Sequence, residues 1–100
     1  MAFQIVWTDP ALEALKALIE YISRDNPAEA ERFGNKILHQ VDLLEHSPFL
    51  GSRVNTGSKS HIRETACFPY RIFYRVVEEA GRIEILTLWH SSRDEPPLHD

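Results

Sequence analysis

Cysteine is almost missing from this chain. Cys67 is the only one in 100 residues, so no internal disulfide can form, and a lone thiol suits a reducing compartment. No Cys/His spacing of a structural zinc site is present, so no metal site is expected and packing alone must hold the fold. Glycine is scarce too, at four residues, and Gly51 and Gly57 fall together in Pro48–Ser60, which marks that stretch as a surface loop. No apolar run approaches the roughly 20 residues a membrane-spanning helix needs. The opening Met1-Ala2-Phe3-Gln4-Ile5-Val6-Trp7 has no basic segment ahead of an apolar one and meets Asp9-Pro10 at once. No signal peptide is therefore expected, and the expected location is cytoplasmic. An excess of positive charge is also lacking: the net charge is −4, which argues against a protein that coats nucleic acid through its overall field.

What is present is ordinary for one folded domain spanning residues 1–100: 43% hydrophobic, 10% aromatic and 26% charged residues. The charge is unevenly spread. Residues 1–50 hold four basic against eight acidic side chains, and residues 78–100 hold two against six. Residues 51–77 reverse the balance, with Arg53, Lys59, Arg63, Arg71 and Arg75 against Glu64 alone.

Phe3–Trp7 is β-branched and aromatic and predicts a short first strand. Asp9-Pro10 is a helix start, with Asp at the N-cap, and Leu12, Leu15, Leu18, Ile19 and Ile22 recur at helical spacing to about Ser23. Asn26-Pro27, with Glu29 three residues after Asn26, starts a second helix whose stripe is Ala30, Phe33, Ile37, Val41 and Leu44. Gly34 inside it predicts a point of close helix approach. Three strands follow at Ile62–Cys67, Tyr70–Val77 and Arg82–Trp89, the last two joined by a hairpin loop at Glu79-Ala80-Gly81. The tail, residues 91–100, carries Pro96-Pro97 and is expected to be weakly ordered.

The order β-α-α-β-β-β predicts an α+β fold: an antiparallel helical hairpin packed on one face of a mostly antiparallel four-stranded sheet. The expected core includes Leu15, Ile22, Phe33, Ile37, Val41, Ile72 and Tyr74. Alternation along the Tyr70–Val77 strand sends Tyr70, Ile72 and Tyr74 to the helices and leaves Arg71, Phe73 and Arg75 on an open face. Arg53, Lys59 and Arg63 are expected to join them in a basic patch. That patch either contacts phosphate or an acidic partner, or keeps an open sheet face soluble. His90 and Arg93 form a second candidate pair. Histidine titrates near neutral pH and arginine can hold a phosphate; the alternative is a strand-end residue followed by a surface arginine.

Several stretches, in order, resemble one family. They are Trp7 leading into a leucine-rich helix with Tyr21-Ile22, then Asn26-Pro27-Ala28-Glu29-Ala30, then Pro48-x-x-Gly51-x-Arg53. Ile62-Arg63-Glu64, Tyr70-Arg71-Ile72-x-Tyr74-x-Val76 and Ile85-x-x-Leu88-x-His90-x-x-Arg93 complete the set. Together they resemble the RelE/ParE superfamily of bacterial toxins, in the ParE-like branch of plasmid stabilisation proteins, over about residues 3–94. The resemblance implies the toxin of a type II toxin–antitoxin system, without cofactor or membrane attachment and neutralised by a cognate antitoxin encoded by an adjacent gene. The implied assemblies are a homodimer or a toxin–antitoxin hetero-oligomer. ParE-like members are associated with binding and inhibition of DNA gyrase. RelE-like members cut mRNA in the ribosome, and a third alternative is an inactive member that only binds its antitoxin. Arg71 matches the arginine that nuclease members place near the scissile phosphate, so a nuclease here would rely on Arg71, His90 and Arg93. The chain otherwise departs from the nuclease pattern, with no lysine-rich second helix and no tyrosine near its end. A protein-binding toxin is the expected reading, with Arg53, Arg63, Arg71, Phe73, Arg75, His90 and Arg93 as its contact residues.

Overall fold

Thr8, one residue earlier than the sequence suggests, caps the first helix in the computed structural model, which describes residues 2–54, 61–93, 96 and 98. Its hydroxyl accepts from the Ala11 amide at 3.3 Å and donates to the Ile85 carbonyl at 2.7 Å, so one side chain both starts the helix and ties it to a strand. Asp9 then falls in the first turn, where the helix dipole favours an acid. Helix α1 runs Asp9–Ser23 and α2 runs Pro27–Asp42, the latter capped by Asn26 Oδ1 accepting from the Glu29 amide at 3.1 Å. A single 3-10 turn, Leu43–Glu45, continues α2. The helices approach closely at Gly34, where a β-carbon would stand 3.1 Å from Ile19 Cδ1. No helix among the described residues is long and apolar enough to cross a membrane.

The sheet has five strands rather than four: β1 (Gln4–Trp7), β2 (Ser52–Arg53), β3 (Ile62–Cys67), β4 (Tyr70–Val77) and β5 (Arg82–His90), in the order β1-β5-β4-β3-β2. β1 runs parallel to β5 and every other pair is antiparallel. The additional strand, β2, is two residues long, too short to carry an alternating pattern inside the Pro48–Ser60 loop. A register shift against Phe73/Tyr74 lets β5 turn both Ile85 and Leu88, three residues apart, toward the helices.

Two hydrophobic clusters result, one on each face of the sheet. The larger joins Leu18, Phe33, Ile37, Val41 and Leu44 to Ile72, Tyr74, Ile83, Ile85 and Leu88, with Leu15 and Ile22 partly buried against it. The second lies on the face expected to be open: Phe73 is fully buried with Val54, Ile62 and Leu98, and Leu86 and Trp89 pack beside them. Leu98, at 4% exposure, anchors part of the tail expected to be weakly ordered.

The Tyr74 hydroxyl is the hub of the loop that follows α2. It donates to the Pro48 carbonyl at 2.9 Å and accepts from the Gly51 amide at 2.8 Å, while Arg63 Nη1 donates to the Gly51 carbonyl at 2.7 Å. Burial raises the Tyr74 pKa above its ordinary value, opposed by the Gly51 hydrogen bond and the Arg63 charge. A phenol that holds its proton more tightly folded than unfolded gives stability that is full below the unfolded pKa, near 10.0, and falls as pH rises beyond it. Alkaline titration of thermal stability should therefore show a loss starting near pH 10, and Tyr74→Phe should reduce its slope. An unchanged slope would mean that Tyr74 is not the group responsible.

Candidate functional site

A groove of about 800 Å³ lies between the helical hairpin and the end of the sheet where β4 begins and β5 finishes. Two alanines one turn apart on α1, Ala14 and Ala17, form part of its wall and leave room that larger side chains would fill. Leu18, Ile22 and Phe33 supply its apolar helical side, and Pro69, Tyr70 and Leu88 its sheet side. The aromatic part is a ladder: Phe33 tilts against Tyr70 with ring centroids 5.8 Å apart, and Tyr70 meets His90 edge-on at 5.1 Å.

His90 and Arg93 come together at the rim of this groove, along with Ser92. The Ser92 amide donates to His90 Nδ1 at 3.1 Å, and the Ser92 hydroxyl lies 2.7 Å from the same nitrogen. Accepting an amide hydrogen makes Nδ1 the unprotonated nitrogen, so the neutral ring carries its hydrogen on Nε2. The turn is fixed by Ser91 N–H donating to the Pro69 carbonyl at 2.8 Å and Arg93 N–H donating to the His90 carbonyl at 3.0 Å. The Arg93 guanidinium lies over Trp89, 4.2 Å from the ring centroid. Glu29, at the start of α2, stands at the groove as its acidic member.

The other expected site residues do not join this constellation, nor do they form one patch. Arg71 lies on the sheet face away from the helices, with Nη1 3.5 Å from Glu64 Oε1, its guanidinium over Phe73 at 5.1 Å and its side chain 21% exposed. Arg75 shares that face and reaches Glu84 at 3.6 Å, and Arg82 reaches the same carboxylate at 3.1 Å. Arg71 and Arg75 are held by carboxylates of neighbouring strands, and Arg82 by one on its own strand. Phe73, expected as a contact residue, is buried beneath them and presents no surface to a partner. Arg63 is on the opposite face from Arg71: the register pairs it with Tyr74, whereas Arg71 pairs with Ala66. Arg63 and Arg71 therefore cannot share one anion. Arg53 pairs with Arg63 at the β2 edge, and Lys59 lies outside the described residues. Burial raises the Cys67 thiol pKa, which keeps it protonated and unreactive.

Sequence reading missed Ala14, Ala17 and Tyr70 as groove residues. The two alanines were legible as an (i, i+3) pair of small side chains on a helix otherwise rich in leucine and isoleucine. Tyr70 was assigned to the helix-facing side but not to an opening there.

Residues 5–95 match the family model described as the ParE toxin of type II toxin–antitoxin systems. The chain is 35% identical over 97 residues to the Y4kP protein of Sinorhizobium fredii, covering 95% of each. It is 33% identical over 91 residues to toxin RelE2 of Caulobacter vibrioides, covering 90% of this chain and 97% of that one. Among solved structures, the chromosomal ParDE system of P. aeruginosa superimposes with a TM-score of 0.74 at 21% identity, over 89% of this chain and 96% of that one. The RelBE2 toxin–antitoxin complex of Mycobacterium tuberculosis does so at 0.68 with 17% identity, over 90% and 92% respectively. The fold is thus that of both ParE and RelE toxins, and by the family model the chain belongs to the ParE toxins of type II toxin–antitoxin systems.

Proposed function

We propose that the chain is a toxin that acts by gripping a protein target, DNA gyrase, and that its cognate antitoxin inserts an amphipathic segment into the groove between the hairpin and the sheet. The observation that carries this reading is the contrast between the two surfaces. On the sheet face the cations Arg71 and Arg75 are committed to Glu64 and Glu84, while the groove is large, open and predominantly apolar. RNA cleavage needs a proton donor and acceptor across one phosphate and free positive charge around it. Of the three residues a nuclease here would rely on, His90 and Arg93 meet at the groove rim without Arg71, and Nδ1 of His90 already accepts from Ser92. An apolar cleft with a few polar groups at its edge suits a helix-in-groove contact, in which residues at (i, i+3, i+4) spacing bury their side chains.

Two measurements test this. Induction of the chain without its antitoxin should block supercoiling by gyrase, in cells and with the purified enzyme. Early cutting of mRNA inside reading frames, with supercoiling untouched, would instead place the chain with the ribosomal nucleases. For the groove, Ala17 is exposed, so Ala17→Arg should leave the fold intact while filling the space a partner needs. Antitoxin affinity should fall about a hundredfold, close to 3 kcal/mol. An unchanged affinity in calorimetry would rule the groove out as the antitoxin seat.

A further inference from the structure

Beyond the groove, the sheet register sets a pair of like charges opposite each other where β2 meets β3. Arg53 on β2 stands directly opposite Arg63 on β3 in the antiparallel register. Directly opposed residues have β-carbons about 5 Å apart, and like charges so placed repel. Among the described residues neither guanidinium is paired with a carboxylate. One of the five Arg63 donors goes to the Gly51 carbonyl, and its plane lies over the Phe49 ring at 4.9 Å. Phe49 and its neighbour Leu50 are nonetheless half exposed, at 50% and 52%. They are not on a slack loop: the Tyr74 hydroxyl grips Pro48 on one side of them and Gly51 on the other.

We infer that Arg53, Arg63, Phe49 and Leu50 form a second docking surface, which binds an acidic protein segment whose carboxylate lies between the two arginines and whose apolar neighbour covers Phe49 and Leu50. Charge complementarity selects the carboxylate, because an anion between two opposed guanidinium groups removes their repulsion and can be held by both forks. The apolar pair selects a peptide over nucleic acid. One face of the Phe49 ring is already taken by Arg63, which leaves it poorly placed for base stacking. The surface is separate from the groove. Glu29 and Phe33, in the first half of α2, line the groove, whereas Phe49 and Leu50 lie beyond the 3-10 turn at that helix's other end. Both surfaces can therefore be occupied at once.

The test uses the purified full chain with a short peptide of alternating glutamate and leucine, and a single-stranded oligonucleotide as the rival probe. In amide NMR the peptide should move Phe49, Leu50 and Arg53, and Arg53→Glu should weaken its binding at least tenfold. The same variant should melt at a higher temperature than the native chain, because it turns a repelling pair into an attracting one, and added salt should narrow that difference. A purely structural arginine would instead lose stability on replacement. The inference is overturned if the peptide leaves those amides unmoved, if it binds Arg53→Glu as well as the native chain, or if only the oligonucleotide moves them. A variant no more stable than the native chain would equally overturn it. None of these readouts requires toxicity or the antitoxin, so they are decided independently of the gyrase and groove assignments.

Discussion

Gly51→Ala is expected to destabilise the domain by about 3 kcal/mol or more, a large fraction of what holds a chain of this size folded. A β-carbon at Gly51 would lie 2.4 Å from the Glu64 carbonyl oxygen and 2.9 Å from its carbonyl carbon, both fixed in the middle of β3. It would also lie 2.8 Å from the Tyr74 hydroxyl. Backbone in a sheet cannot retreat as a side-chain tip can, so the loop itself must move. Moving it breaks the Tyr74 bonds to Pro48 and Gly51 and the Arg63 bond to Gly51 together. Gly34→Ala is the internal comparison. Its β-carbon would meet Ile19 Cδ1 at 3.1 Å, the far end of a flexible side chain, while helix propensity gains about 1 kcal/mol. That variant should therefore stay within about 1 kcal/mol of the native chain. Urea unfolding of the two variants checks the pair of expectations. Similar losses for both would mean that the Gly51 contact relaxes as easily as a methyl group swings.

The contrast between these glycines also shows what a sequence can and cannot disclose. Gly34 was legible because a glycine in a regular apolar helix has few explanations, and close approach is the simplest. Gly51 stood among turn residues where glycine is common, so its contact with a strand thirteen residues later left no local mark. The same limit governs the site. Helix stripes and strand alternation placed Phe33, Ile37, Val41, Ile72 and Tyr74 in the main core, because periodicity reports which side of one element is buried. It does not report which residues of two strands stand side by side. Arg63 and Arg71 look like neighbours on adjacent strands, yet the β3–β4 register sends them to opposite faces. Nor does alternation say that a face left bare by helices stays bare. Val54 from a loop edge, Ile62 at the first position of β3 and Leu98 from the tail cover Phe73. Three separate segments supply them, none with a pattern of its own.

Phe73→Ala should produce a loss of about 3–5 kcal/mol, comparable with removing Phe33 from the main core. The sequence-level picture of an exposed ring between two arginines implies almost none. The ring is 0% exposed, and its removal empties a cluster in which it packs with Val54, Ile62 and Leu98, flanked by Leu86 and Trp89. Such a small cluster can close over the void only by moving the loop edge, the strand start and the tail together, so much of the cavity should persist. The substitution also takes away the surface beneath Arg71, whose guanidinium sits 5.1 Å from the ring centroid. Arg71→Ala should be milder, at about 1–2 kcal/mol: its ion pair with Glu64 is 3.5 Å long and partly screened by solvent, and Glu64 keeps access to water. The ordering of the two variants is what decides. If Phe73→Ala falls below Arg71→Ala in denaturant unfolding, the sheet face is a solvated cationic surface after all. If it exceeds it severalfold, the arginines are the outer layer of a second core. The two tryptophans give the measurement its location, since Trp7 packs on the main core and Trp89 on the second. In a cooperative domain both should report one lowered midpoint, because loss of either core removes the support of the sheet between them.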